Sequence, residues 1–175
     1  MFTETKPPNY YAVFVDVLYA VLVGETLFQF ANEFLKPLET STFSLSVVYI
    51  ALFSSWLYWH KAVVKYPHQN IGRFILDMLV LIIYLLMFFN HSNITGVFWG
   101  FTSLYFLFFV WAIFRVIEHP VQVQTLKTSL FFFIIMLLLM VVRELTSLAE
   151  APPILDYLFL GILIAFVLIT TTSNQ

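Results

Sequence analysis

The sequence predicts an all-α integral membrane protein: a single domain of six transmembrane helices with both termini in the cytoplasm. Three observations lead there. Hydrophobic residues fill 61% of the 175 positions and charged residues 10%, with a mean hydropathy of +0.92, whereas soluble domains carry about 25% charged residues. Apolar runs of about 20 residues, the length that crosses a bilayer as a helix, recur along the chain between charged or turn-forming residues. Lys and Arg are unevenly divided between the two sets of connections, which orients the spans. Neither the alternation of barrel strands nor a repeat dividing the chain into halves is visible.

The first span is predicted over 10–34. The segment before and into it, MFTETKPPNYY, carries an acid and prolines rather than the basic start and small-residue cleavage site of a signal peptide, so the span is expected to be retained. Lys36-Pro37 ends it, because proline disfavours helical backbone in the residue before it. The second span covers 43–61. Tyr66-Pro67-His68-Gln69-Asn70 separates it from the third, 72–89. Asn90-His91-Ser92-Asn93 turns the chain into the fourth, 94–116. Pro120 follows that span, and the fifth runs over 127–146. Pro152-Pro153 opens the sixth, 154–171, where proline suits the first helical turn and Asp156 complements the helix dipole. The connections are expected to be tight hairpins between sequence neighbours. Asn93-Ile94-Thr95 matches a glycosylation acceptor, a pattern short enough to arise by chance.

Cytoplasmic connections retain positive charge during insertion. Lys6, Lys61, Lys65, Arg73, Arg115 and Lys127 fall on one side and only Lys36 and Arg143 on the other, which places both termini inside. Trp56, Trp59 and Trp111 are then expected as anchors at the inner interface and Trp99 at the outer one.

Several classes of function drop out. A net charge of -2 and a pI near 6.0 provide no phosphate-neutralising surface, so nucleic acid is not an expected partner. The absence of cysteine removes thiol chemistry and Cys-ligated metals. Five glycines form no phosphate loop or nucleophile elbow, so neither an enzyme nor a cofactor is expected. Glu118-His119, His68 and His91 lack the helical His-x-x-x-His spacing, and no metal site is expected. The lipid bilayer is the partner the composition itself implies.

A charge at mid-membrane costs about 2.5–3.5 kcal/mol on insertion scales, so acids inside spans call for an explanation. At 100° per residue, Phe14, Leu18, Val21, Glu25, Phe28 with Gln29, and Asn32 with Glu33 share one face of the first span. That face is apolar in its inner half and polar in its outer half. Copies of this helix around an axis would form an acidic vestibule from Glu25, Gln29 and Glu33 above an apolar constriction of Leu18 and Val21. The alternative is a packing face with Glu25 or Glu33 paired to Arg143. Asp16 lies about 140° from Val21 and is expected to face the bundle interior. Its candidate partners are His60, Lys61, Arg73 and Arg115, with Asp77 one turn after Arg73 and placed to pair with it. This inner group reads as a structural polar knot, with a proton relay as the other reading.

Phe14-Val15-Asp16, followed by Val17-Leu18-Tyr19-Ala20-Val21, resembles the Phe-Ser-Asp signature in the first helix of the lysosomal-type potassium channel family. Trp56-Leu57-Tyr58-Trp59-His60 is similar to that family's Trp and His pattern in the second helix. Val15 stands where the family has serine, and Tyr10 where it has an arginine. The resemblance covers about 50 residues of the chain. It implies four copies around an axis lined by the first helix, an apolar constriction at Val21, no carbonyl filter loop, and weak discrimination among monovalent cations, because an apolar gate reads dehydration cost.

The function these readings predict is a homo-oligomeric channel for monovalent cations, potassium among them, tetrameric and resident in a cell inner membrane or its equivalent. The alternative is a non-conducting sensor or scaffold subunit, of the kind used in stress or phage defence, recruiting a cytosolic protein through loops 61–70 and 118–128. That alternative is motivated by aromatic-rich, lipid-like spans with 21 Phe and by the lack of a transport motif.

Overall fold

The structure, a computed structural model, describes residues 10–35, 39–65, 71–120, 123–148 and 154–173, with the side chains of 61–65, 147–148 and 170–173 outside that description. The expected breaks at Lys36-Pro37, 66–70 and Pro152-Pro153, the side chains of Lys6, Lys61 and Lys65, and positions 121–122 of the second proposed docking loop therefore lie outside the described residues.

Among the described residues six α-helices follow one another: α1 (Tyr10–Phe30), α2 (Thr40–Lys65), α3 (Ile71–Phe89), α4 (Ile94–Glu118), α5 (Val123–Leu148) and α6 (Ile154–Ser173), with a 3-10 turn, Ala31–Leu35, closing α1. No strand occurs among the described residues. In a bilayer every backbone N–H and C=O has to be satisfied within the chain, which long apolar helices do without help. Among the described residues five helical segments are long and apolar enough to cross a membrane: Tyr10–Leu35, Thr40–His60, Ile71–Phe89, Ile94–Glu118 and Val123–Thr146. The chain is an integral membrane protein of the helical type. The described apolar stretch of α6, Ile154–Ile169, is shorter.

The turn between α3 and α4 shows how local chemistry sets the boundaries. The Asn90 amide still bonds to the Leu86 carbonyl, the Asn93 amide closes a turn on the Asn90 carbonyl, and the Asn93 side chain then caps α4 by accepting from the Gly96 amide at 3.2 Å. Asparagine at an N-cap satisfies one of the orphan donors of the first helical turn. Gly100 lets α4 lie close to α3, since a Cβ there would come within 2.3 Å of Met87 Cγ.

The helices run alternately up and down. Asp16 meets His60 and Arg73 meets Glu118 at one end of the bundle, while Trp99 meets Glu144 and Arg143 meets Asp156 at the other. The even-numbered helices are parallel, with Phe98 against Phe159 and Tyr105 against Phe166. Packing departs from the expected series of neighbour hairpins: α4 packs on α3 and α5, but α6 packs chiefly on α2, and α1 packs on α3 more than on α2. The aromatic matches explain part of this, Tyr11 and Phe14 of α1 meeting Phe74 of α3 and Phe43 of α2 meeting Tyr157 of α6. Tyr84 fastens α3 to α2 by donating to the Ala51 carbonyl at 3.0 Å.

Only 17% of the apolar stretch of α1 and of α5 is buried, against 44–50% for α2, α3 and α4. The two outlying helices present their outer faces to whatever surrounds the chain.

Candidate functional site: the outer face of α1 and the inner polar cluster

The outer faces of α1 and α5 differ chemically. On α5 the exposed side chains Gln124 and Lys127 lie at its start, and from Phe131 through Ile134, Leu138 and Val141 to Leu145 the exposed face is apolar, which suits lipid tails. On α1 the exposed stripe begins with Phe14, Val17 and Val21 and then carries Gly24, Glu25 and Gln29. At 1.5 Å per residue α1 is about 32 Å long, close to the hydrocarbon thickness, and Glu25 lies about 8 Å inside its Phe30 end. Among the described residues no hydrogen bond or ion pair reaches the Glu25 or Gln29 side chain.

Two residues of the expected stripe sit differently. Leu18 is half-buried and packs against the chain's own core, so Val17 is the exposed apolar residue one turn below Val21. Glu33 falls in the 3-10 turn, half-buried, with its carbonyl accepting from Thr42 Oγ1 at 3.4 Å. A 3-10 turn advances about 120° per residue instead of 100°, so three residues past Phe30 the face has rotated by about 60° from the helical extrapolation. Glu25 and Gln29 stay on the outer stripe, and Glu33 turns toward the start of α2. Arg143 pairs with Asp156 at 2.9 Å, not with Glu25 or Glu33, and Asp156 is thereby an ion-pair partner as well as a dipole-compensating acid.

The inner polar residues separate into two groups. In the first, the half-buried Asp16 accepts from Trp56 Nε1 at 2.9 Å and lies 3.2 Å from His60 Nδ1, tying α1 to α2. His60 is among its expected partners; Trp56 is not, because an indole near the inner end of a span is expected as an interface anchor. Trp56→Phe removes a hydrogen bond to a charged group. The expected cost is about 1.5 kcal/mol, the low end for such bonds, because Asp16 is 31% exposed. Thermal unfolding in detergent micelles measures it.

In the second group Arg73, fully buried, pairs with Glu118, not with Asp77 one turn along its own helix as expected. The Arg73 guanidinium also lies 4.7 Å from the Trp111 ring centre, and that of Arg115 lies 5.3 Å from it. An aromatic face attracts cations through its quadrupole and helps hold two like charges in one buried neighbourhood. Arg115 donates to the Tyr58 hydroxyl at 3.4 Å, and Asp77 is buried close by on α3. Two Arg and two acids make this group formally neutral. Trp59 and Trp111 are 6% and 7% exposed, so they serve the bundle interior and not a lipid-facing belt. Trp99, 54% exposed, keeps an anchor's placement and donates to Glu144 at 3.2 Å.

No family model, curated protein or solved structure matches the chain.

Proposed function

We propose that the chain is a homo-oligomeric channel for monovalent cations, potassium among them, with α1 of each copy lining the central axis. In this reading α6 is a sixth span, both termini are cytoplasmic, the membrane is a cell inner membrane or its equivalent, and four copies assemble, as the resemblance to the lysosomal-type potassium channel family implies. The observation that carries the reading is the exposure of Glu25 and Gln29 on α1 within an otherwise apolar surface. A carboxylate there is costly in lipid and stable beside water, and copies of α1 facing a wet axis supply that water. Rings of acids concentrate cations, and the apolar ring of Val21 below them forms a constriction that gates by dewetting.

Ala20 and Gly24, exposed and one turn apart on α1, fit the same arrangement. Small residues four apart allow helices of neighbouring copies to approach closely, and Gly24 is not required by packing within the chain, since a Cβ there meets nothing within 4 Å.

The test is current and reversal potential of the purified protein in planar bilayers under asymmetric potassium chloride. Wild type is expected to pass a cation-selective current. Val21→Ala is expected to raise it by widening and wetting the constriction, and Glu25→Gln to shift the reversal potential toward zero by weakening cation selection. Silence from all three proteins at both polarities would replace the channel with the partner-recruiting subunit. An unchanged reversal potential in Glu25→Gln, with the oligomer intact, would remove the vestibule.

A further inference from the structure

All six helices contribute to the wall of a cavity of about 80 Å³ inside the bundle. Most of the wall is apolar, with Val80, Phe101, Leu104, Phe108, Phe132 and Val167 among its residues. Asp77 also reaches it, but that carboxylate belongs with Glu118, Arg73 and Arg115 to the formally neutral group, so the interior needs no further ion for its charge balance. The polar atoms buried deepest in the wall are hydroxyls. Those of Tyr19 and Tyr84 both neighbour the hydroxyl of Ser55, and all three residues are buried. Ser55 donates its proton to the Leu52 carbonyl at 3.0 Å and Tyr84 donates its own to the Ala51 carbonyl at 3.0 Å. With those protons committed, Ser55 and Tyr84 offer a guest their oxygen lone pairs. Ser54 and Ser129, the other serines of the wall, are only half-buried.

Size, charge and hydrogen bonding together define the guest. About 15 Å³ of such space holds one water-sized group, so 80 Å³ has room for about five. An ion would lose its hydration and upset a charge balance already met, which excludes it on desolvation cost. Water is a poor occupant, because each molecule needs two to four polar partners and a mostly apolar wall supplies few. A hydrocarbon would fill the space and leave the hydroxyl oxygens unused. An alcohol uses both parts of the wall. We infer that the cavity binds a small neutral alcohol of about four carbons, with its O–H donated to the hydroxyl oxygens of Ser55 and Tyr84 and its carbon chain against the apolar wall. The site lies within one copy of the chain and does not depend on the axis formed by α1.

Equilibrium dialysis of the full chain in phosphatidylcholine nanodiscs, corrected for empty discs, tests it with three probes. They are butan-1-ol, its isomer 1-methoxypropane, which has the same atoms but no O–H, and butylammonium, which adds a charge. Saturable binding of the alcohol is expected, about fivefold tighter than the ether, the ratio that one net hydrogen bond gives. Butylammonium is expected not to displace it. Ser55→Ala combined with Tyr84→Phe should bring the alcohol down to the affinity of the ether. Ser129→Phe, which fills the cavity from α5, should abolish binding of both, and this variant together with the isomer comparison carries the test where the double variant fails to fold. Equal binding of alcohol and ether, displacement by butylammonium, binding retained in Ser129→Phe, an alcohol preference retained in the folded double variant, or no saturable binding to wild type would each overturn the site.

Discussion

Arg73→Ala is expected to destabilise the bundle by about 3–5 kcal/mol, the effect of removing one member of a buried ion pair and stranding the other. Arg73 is fully buried, and Glu118, 16% exposed, would be left with a largely buried, unpaired charge. The loss also removes a cation from the face of Trp111. The pair itself need not be strongly stabilising, because Nε and Nη2 of Arg73 find no hydrogen-bond partner among the described residues. Replacing both members by apolar residues of similar volume, Arg73→Met with Glu118→Leu, is accordingly expected to cost far less than Arg73→Ala alone, since well-packed apolar substitutes for a buried pair are often neutral. Reversible unfolding in mixed micelles, run as a double-mutant cycle, measures both. Additive costs for the two positions would mean that Arg73 and Glu118 act independently.

Gly24→Leu is expected to leave the fold of each chain intact and to dissociate the oligomer. Within the chain the substitution meets open space and replaces glycine by a better helix former, a gain of up to about 1 kcal/mol in an exposed helix. In the proposed assembly, a branched side chain at the closest approach of neighbouring α1 helices would force them apart, since helix packing in a membrane relies on small residues where lipid tails compete equally for apolar surface. Mass measurement by light scattering in detergent and energy transfer between labelled copies in liposomes report the assembly, and current falls with it. An oligomer indifferent to Gly24→Leu would mean that α1 faces lipid, and the proposed axis would fall with it.

The helical fold was legible because the bilayer leaves few solutions. The predicted spans 72–89 and 94–116 lie within two residues of the observed α3, Ile71–Phe89, and α4, Ile94–Glu118, since the Asn90–Asn93 turn and the Asn93 cap are local signals. The end of α1 was harder to read. A helical wheel assumes constant pitch, and the 3-10 turn at Ala31 breaks it, which is why Glu33 leaves the stripe while Glu25 and Gln29 remain on it. Tryptophan near a span end carries the same sequence signal whether it faces lipid or the bundle. The sequence therefore predicts belt positions for Trp56 and Trp111, although Trp56 donates to Asp16 and Trp111 faces two guanidiniums.

By itself the sequence determined that this chain lives in a membrane as long helices, where those helices begin and end to within a few residues, and that α1 carries an acid, Glu25, on a face that continues an apolar stripe. Those properties depend on composition, local turn chemistry and the period of one helix, and each can be evaluated within a short window. Only the tertiary structure decided which partner each buried charge takes: Glu118 for Arg73, Asp156 for Arg143, and Trp56 with His60 for Asp16. It also decided that α6 lies on α2 and that a cavity forms among all six helices, with Asp77 as its one carboxylate among the described residues. Partner choice between helices depends on crossing geometry and side-chain fit between residues distant in sequence, 40 positions apart for Asp16 and Trp56 and 45 for Arg73 and Glu118. Several acids and bases at the same depth satisfy the sequence pattern equally well, and the packed bundle selects among them.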